Sequence, residues 1–238
     1  MEAGLILLVA GVVMALVERC KPGHDLPAVE RWKPRAVTLS AIQIAAAAVG
    51  AVAIGPHVRW VSLVDAEPLG FWLGSLYGYL GVTFLYYWWH RARHEIGWLW
   101  RGLHQVHHSP GRIELLTTYY KHPLESVSNV VLGAVLLYAV LGLTPAQAGA
   151  VTVACGLAEF FYHWNVRTPR WLRYVIQRPE AHRLHHELGV HAGNYADLPI
   201  WDLLFGTYRD PDGAPVRCGF GPAERLLREM LRFRKVAE

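Results

Sequence analysis

Cysteine is scarce in this chain. Cys20, Cys155 and Cys218 stand far apart and none forms a C-x-x-C pair. A disulfide framework and a thiolate zinc site are therefore excluded, and all three read as small buried or exposed thiols. Charge is sparse as well: 18% of the 238 residues are Asp, Glu, Lys or Arg, against 53% hydrophobic. Missing too are a Gly-rich phosphate loop, a nucleotide fingerprint and a Ser/His/Asp spacing. Kinase, hydrolase and fused-reductase chemistry lose their basis with them. The net charge of +4 comes without aromatic–basic alternation, so no nucleic-acid partner is expected. No low-complexity segment, long linker or internal repeat is present apart from a histidine pattern described below.

What the chain has instead is apolar length. Ten Trp, eleven Tyr and a positive mean hydropathy point to a membrane protein. Residues 3–16 form a first apolar run; Met1-Glu2 lacks the basic start of a secretory leader, so a short membrane helix is expected. Further runs cover 37–55, rich in Ala and Gly, and 69–89, ending in Tyr86-Tyr87-Trp88-Trp89. Rings of that kind favour the membrane–water interface. Runs at 127–143 and 146–162 are at the short end for spanning and are read as a hairpin that crosses or dips and returns. The segments 19–36, 90–126 and the C-terminal region are basic, whereas 56–68, with Arg59, and 142–147 are not. The positive-inside rule then places the N-terminus outside and every basic segment in the cytoplasm. The expected fold is all-α: an integral membrane bundle of about four to five apolar helices with a cytoplasmic, histidine-rich helical cap. A single domain, 1–238, is expected, with N-terminal spans at 1–68, a core at 69–210 and a tail at 211–238. Within the tail, 222–236 is read either as an interfacial helix on anionic lipid or as a plain capping helix.

Eleven of the thirteen histidines lie between positions 90 and 191. His104-Gln105-Val106-His107-His108 and His182-Arg183-Leu184-His185-His186 repeat H-x-x-H-H, and His90-x-x-x-His94 precedes them. Residues three and four apart share a helix face, so each copy is expected to aim three imidazoles at one point. Neutral imidazole is the commonest metal-binding side chain. Eight imidazoles exceed what one ion can use, so more than one metal is expected. His24 and His57 stand alone in loops and read as ordinary polar side chains. Imidazole suits iron, zinc and copper alike, so the donor set does not name the metal.

The three boxes, placed after aromatic-ended spans, resemble the fatty acid hydroxylase / sterol desaturase superfamily. His108-Ser109-Pro110 with Glu114-Leu115, and Lys121-His122-Pro123-Leu124-Glu125, resemble its segment after the second box. Asn194-Tyr195 and Leu198-Pro199-Ile200-Trp201-Asp202-Leu203-Leu204-Phe205-Gly206-Thr207 resemble its closing signature. The resemblance covers about residues 70–210. It implies a membrane di-iron oxygenase using O2, with His90, His94, His104, His107, His108, His182, His185 and His186 as ligands. His163 is implied as a ninth, although Arg167 stands where some members have another histidine. His122 is the candidate to complete the set, as ligand or supporting group, and His191 is read as a supporting or exposed residue.

Metal-bound imidazoles usually donate their second N–H to a carboxylate or carbonyl. Glu95, Glu125, Glu159, Glu187, Asp197 and Asp202 lie near the boxes; Glu159, one turn before His163 inside an apolar run, is the most informative. The supporting set expected here is Glu159, Asn165, Asn194 and Asp202. Beyond the metal centre no catalytic or cofactor-binding side chain is expected. Hydroxylation of an unactivated C–H of a fatty acyl or sterol-like lipid fits best, with zinc able to replace the two irons in expressed protein. Small residues such as Gly133, Gly149 and Gly156 either leave room for that lipid or serve ordinary helix packing. A desaturase is the near alternative, and a histidine-based metal transporter or a bis-histidine haem protein the alternatives from other classes. No fused donor domain fits in the chain, so a separate electron-donor protein is expected. The oligomeric state is not legible.

Overall fold

The computed structural model describes residues 2–58, 61–211 and 216–236, excluding the side chains at 55, 56, 223 and 224; Arg59 lies outside them. Every regular element among the described residues is helical, and one isolated bridge joins Glu187 to Cys218. Five long helices form the bundle: α1 Glu2–Cys20, α2 Trp32–Ala53, α3 Gly70–Glu95, α4 Pro123–Ala134 and α5 Pro145–His163. A π-helical turn, Val135–Val140, prolongs α4. Three stretches are long and apolar enough to cross a membrane: Glu2–Cys20, Trp32–Ala53 and Pro123–Val140. More than half of each of Leu5, Leu8, Val12, Val13 and Leu16 is exposed, on one broad face of α1. An exposed apolar face of that kind suits lipid, not water. The protein is an integral membrane protein by this measure.

Small residues set how closely the helices approach. A Cβ on Gly156 would lie 2.8 Å from Leu7 of α1, and one on Gly78 would lie 2.6 Å from Leu143. Thus α5 packs against α1 on one side and α3 on the other, while α2 packs on α4, where Gly50 meets Val130. Gly133 and Gly149 have nothing within 4 Å of such a Cβ, so of the three expected small residues only Gly156 makes a close helix contact. α5 opens with a capping box, Thr144 with Gln147, and Pro145 in its first turn. Gly142, at φ +61°, turns the chain between α4 and α5.

All basic connections sit at one end of the bundle. The carboxylate of Glu18, at the end of α1, accepts from the backbone N–H groups of Leu115 and Asn165 at 2.9 and 2.8 Å. At the other end Leu63 N–H donates to Ala139 O, and Ala66 N–H to Gly142 O. The cap at the basic end comprises a broken helix over 97–108, α6 Pro179–His185, α7 Pro199–Leu204 and the tail. Among the described residues of the tail there is no long helix, and Leu227–Met230 alone is α-helical. Met230 and Val236 instead enter a core with Trp32, Ala36, Trp100, Val106, Tyr120 and Phe220. Those two apolar side chains are buried in the cap.

Candidate metal centre

Two histidine clusters lie side by side under the cap. His90, His94, His104, His108 and His185 form the first; His107, His163, His182 and His186 form the second, with the donor atoms of each within 4.8 Å of one another. They abut: His108 and His186 stack with ring centroids 4.0 Å apart.

The expectation that each H-x-x-H-H converges on a single point is corrected by this arrangement. At about 100° per residue, positions i and i+4 lie about 40° apart around a helix, whereas i+3 and i+4 lie about 100° apart. His104 and His108 therefore go to the first cluster and His107 to the second. His182 and His186 go to the second and His185 to the first. His90 and His94, also i and i+4, stay together at the end of α3. The stretch Trp100–His104 is π-helical before Gln105–His108 resumes as α-helix. Such wide turns are frequent at functional sites.

The outer nitrogens are anchored. Nδ1 of His90 donates to Tyr195 O at 2.6 Å, His104 to Glu125 Oε1 at 2.9 Å, His163 to Glu159 O at 2.9 Å and His185 to Gly193 O at 2.6 Å. His182 Nδ1 meets the Gln177 side-chain amide at 2.8 Å. Rings that donate through Nδ1 carry a bare lone pair on Nε2 when neutral. Yet His90 Nε2 lies 2.9 Å from His104 Nε2, which lies 3.2 Å from His108 Nε2. In the second cluster His163 Nε2 lies 3.2 Å from His107 Nε2 and 3.0 Å from His182 Nε2, itself 3.1 Å from His186 Nε2. For His90 and His104, which both donate through Nδ1, the two Nε2 lone pairs face each other and repel, and a cation between them would turn the repulsion into ligation. Buried Nε2 atoms of His94 and His185 also lack a hydrogen-bond partner. The nine residues fit two metal ions.

Burial, then the neighbouring imidazoles, holds His107, His108, His182 and His186 well below the ordinary histidine range. Burial pushes His185 down to about 3, against the opposing pull of the Gly193 carbonyl. The rings are thus neutral at pH 7, as ligation requires.

Other expected residues fall elsewhere. His122 reaches neither cluster: its Nδ1 accepts from Leu124 N–H at 3.0 Å and caps α4, and its Nε2 donates to Leu231 O at 3.4 Å. Glu159 supports His163 through its carbonyl, while its carboxylate pairs with Lys121. The Asn165 side chain donates to His24 O and touches no cluster imidazole. Asn194, at φ 52°, holds the loop through Ala181 O and Arg209 O and accepts from Gln177. Asp202 accepts from Tyr195 and Ala196 N–H, and so steadies the strand of chain that receives His90. His191 backs His108, Nδ1 to Nδ1, at 3.2 Å. The carboxylate that does meet a cluster ring, Glu125, was one of six near the boxes and carried no local mark to single it out.

A sequence profile of the fatty acid hydroxylase family matches residues 75–207. The chain is 35% identical over 136 residues to alkylglycerol monooxygenase of Homo sapiens, covering 55% of this chain and 29% of that protein. It is 35% identical over 154 residues to an ornithine lipid hydroxylase of Rhizobium tropici, covering 62% and 44%. A very-long-chain aldehyde decarbonylase of Oryza sativa subsp. japonica is 31% identical over 143 residues, 53% of this chain and 21% of that protein. The matches thus span less than half the length of these relatives. No solved structure matches.

Proposed function

The chain belongs to the fatty acid hydroxylase family, and on that premise we propose that it is an O2-dependent di-iron hydroxylase of a membrane lipid. The observation that carries the reading is the pair of adjoining all-imidazole clusters, fed by the ends of α3 and α5. Its similarity to alkylglycerol monooxygenases and an ornithine lipid hydroxylase supports a lipid substrate. His90, His94, His104, His108 and His185 would hold one ion; His107, His163, His182 and His186 the other.

Bound iron would supply what no side chain has, an oxidant made from O2 that is strong enough for an unactivated C–H. The overall balance is R–H + O2 + 2 electrons + 2 H+ giving R–OH + H2O. The chain's own part is positioning. Tyr195, Gly193 and Glu159 carbonyls and the Glu125 carboxylate fix ring orientation and tautomer before anything binds. Seven of the nine rings are buried, which keeps water from the reacting carbon. The lipid-exposed faces of α1 and α2 put the substrate's solvent at the foot of the cap. The boxes and basic loops are assigned to the cytoplasmic side by the charge bias, with the N-terminus outside. A separate protein delivers the electrons, and residues 1–238 act as one domain.

A transporter would hold its site near the bilayer midplane, whereas these rings lie where the spans end. A bis-histidine haem needs two facing imidazoles, not five and four. Mass-spectrometric lipidomics of cells with and without the gene tests the reading. A lipid gaining one oxygen is expected; a loss of two hydrogens would make the enzyme a desaturase, and no changed lipid would refute both.

A further inference from the structure

Two adjoining cavities open on the cap. One, of about 390 Å³, is lined by His94, Trp100 and His191, with Arg101 and Lys235 beside them. The other, of about 400 Å³, shares Arg101 and Lys235 and adds Trp98 and Phe233. Trp98 is 67% exposed and Phe233 49% exposed, unusual for such rings in a polar cap. Among the described residues around them, Glu95 is paired with Arg91 at 2.7 Å and Glu229 is shared by Arg234 and Arg232, so guanidinium groups outnumber carboxylates, and exposed Arg101 adds to that excess. Exposed Trp, Phe and Arg inside a cationic rim make the composition of a protein-docking patch for an acidic partner.

Below this patch, buried Trp100 touches the first cluster directly. Its ring centroid lies 5.1 Å from His94, 5.2 Å from His108 and 6.1 Å from His104. Electron tunnelling falls steeply with distance, and Trp100, lining the cavity beside His94, sets a conjugated ring against three of the cluster imidazoles.

We propose that the Trp98–Arg101–Phe233–Lys235 surface docks an acidic one-electron carrier protein, and that Trp100 relays its electrons to the first histidine cluster. The inference rests on the di-iron reading and assigns it a reductant site. Each transfer oxidises the carrier by one electron and reduces one ferric ion to ferrous, leaving Trp100 unchanged.

The test uses the whole iron-loaded chain in nanodiscs, without oxygen or lipid substrate. Loss of ferric absorbance is followed after mixing with reduced acidic plant-type ferredoxin or with dithionite. Binding of oxidised ferredoxin to the zinc-loaded chain is measured by calorimetry in parallel. Reduction by ferredoxin should slow as salt rises, and R101E and K235E should each lower its rate and the calorimetric affinity by about tenfold. Dithionite rates should change by less than about twofold in these variants. Trp100→Leu should slow ferredoxin reduction by about tenfold at unchanged iron content and unchanged ferredoxin affinity. Charge reversals without effect, or a wild-type centre that dithionite reduces and ferredoxin does not, would overturn the docking surface. An unchanged rate in Trp100→Leu would overturn the relay. If dithionite bleaches nothing, the iron reading itself has failed and this inference falls with it.

Discussion

Glu125 serves two partners at once. Its Oε1 accepts from His104 Nδ1 at 2.9 Å and from Arg93 at 2.6 Å, with the carboxylate wholly buried. Glu125→Gln keeps the volume but leaves Arg93 a buried, uncompensated charge. A loss of about 3–5 kcal/mol in thermal unfolding is expected, with iron affinity down about 10–100-fold by competition titration. The ligand assignment makes a sharper forecast. His107→Ala strikes the second cluster and His185→Ala the first, so each should lower iron from about two to about one per chain and abolish turnover. Full activity in either would refute the assignment. The metal-free protein should also be acid-sensitive. The rings of His107, His108, His182, His185 and His186 have lowered values when folded but ordinary ones near 6.5 when unfolded. The unfolded chain then binds more protons below about pH 6.5, so stability is full above that pH and falls as the pH drops toward about 3. Denaturation midpoints across that range, with chelator present, check the sign. At this scale the eight box histidines that gather in the two clusters were legible because H-x-x-H-H is dense and local. Glu125, Gln177 and the Tyr195 and Gly193 carbonyls were not, since a backbone carbonyl has no sequence signature and the side-chain partners are set by folding.

Helices carry the next level. Apolar runs foretold five long elements, but three boundaries moved for physical reasons. α3 runs on to Glu95 because His90 and His94 lie on its last turns, facing the cap. α4 starts at Pro123, where His122 caps it. The tail folds as short turns because Met230 and Val236 have a core to enter. What the period alone misjudged was phase: i, i+3 and i+4 share a face in outline, yet i+3 and i+4 diverge enough to serve different ions. The α4–α5 turn offers an element-level test remote from the boxes. A Cβ on Gly142, already at φ +61°, would lie 1.9 Å from Val64 O, which a backbone atom cannot yield. Gly142→Ala should lower stability by about 1–3 kcal/mol, seen as a lower unfolding temperature in detergent. Iron content of the folded fraction should be unchanged.

The bundle has two unlike ends, one basic and bearing the histidine clusters, the other with the carboxylates Asp65 and Glu67. The proposed orientation rests on charge bias. Cys20 is exposed at the basic end, Cys218 is buried and Cys155 sits within α5. A membrane-impermeant maleimide should therefore label Cys20 in inside-out vesicles and leave right-side-out vesicles unlabelled; the reverse pattern would invert the topology. The cap also imposes an order in time. His90 and His94 leave the ribosome before α4 and α5, and box three follows the last span. Met230 and Val236, which pack beside Trp100 and Val106 under box two, follow later still. A nascent chain is thus inserted in the membrane long before it owns either metal site. On the di-iron reading, iron would be acquired by a chain already held at the bilayer, and a newly made, unloaded chain would pass through a period when its nine cluster imidazoles, seven of them buried, are open to whichever divalent ion arrives first.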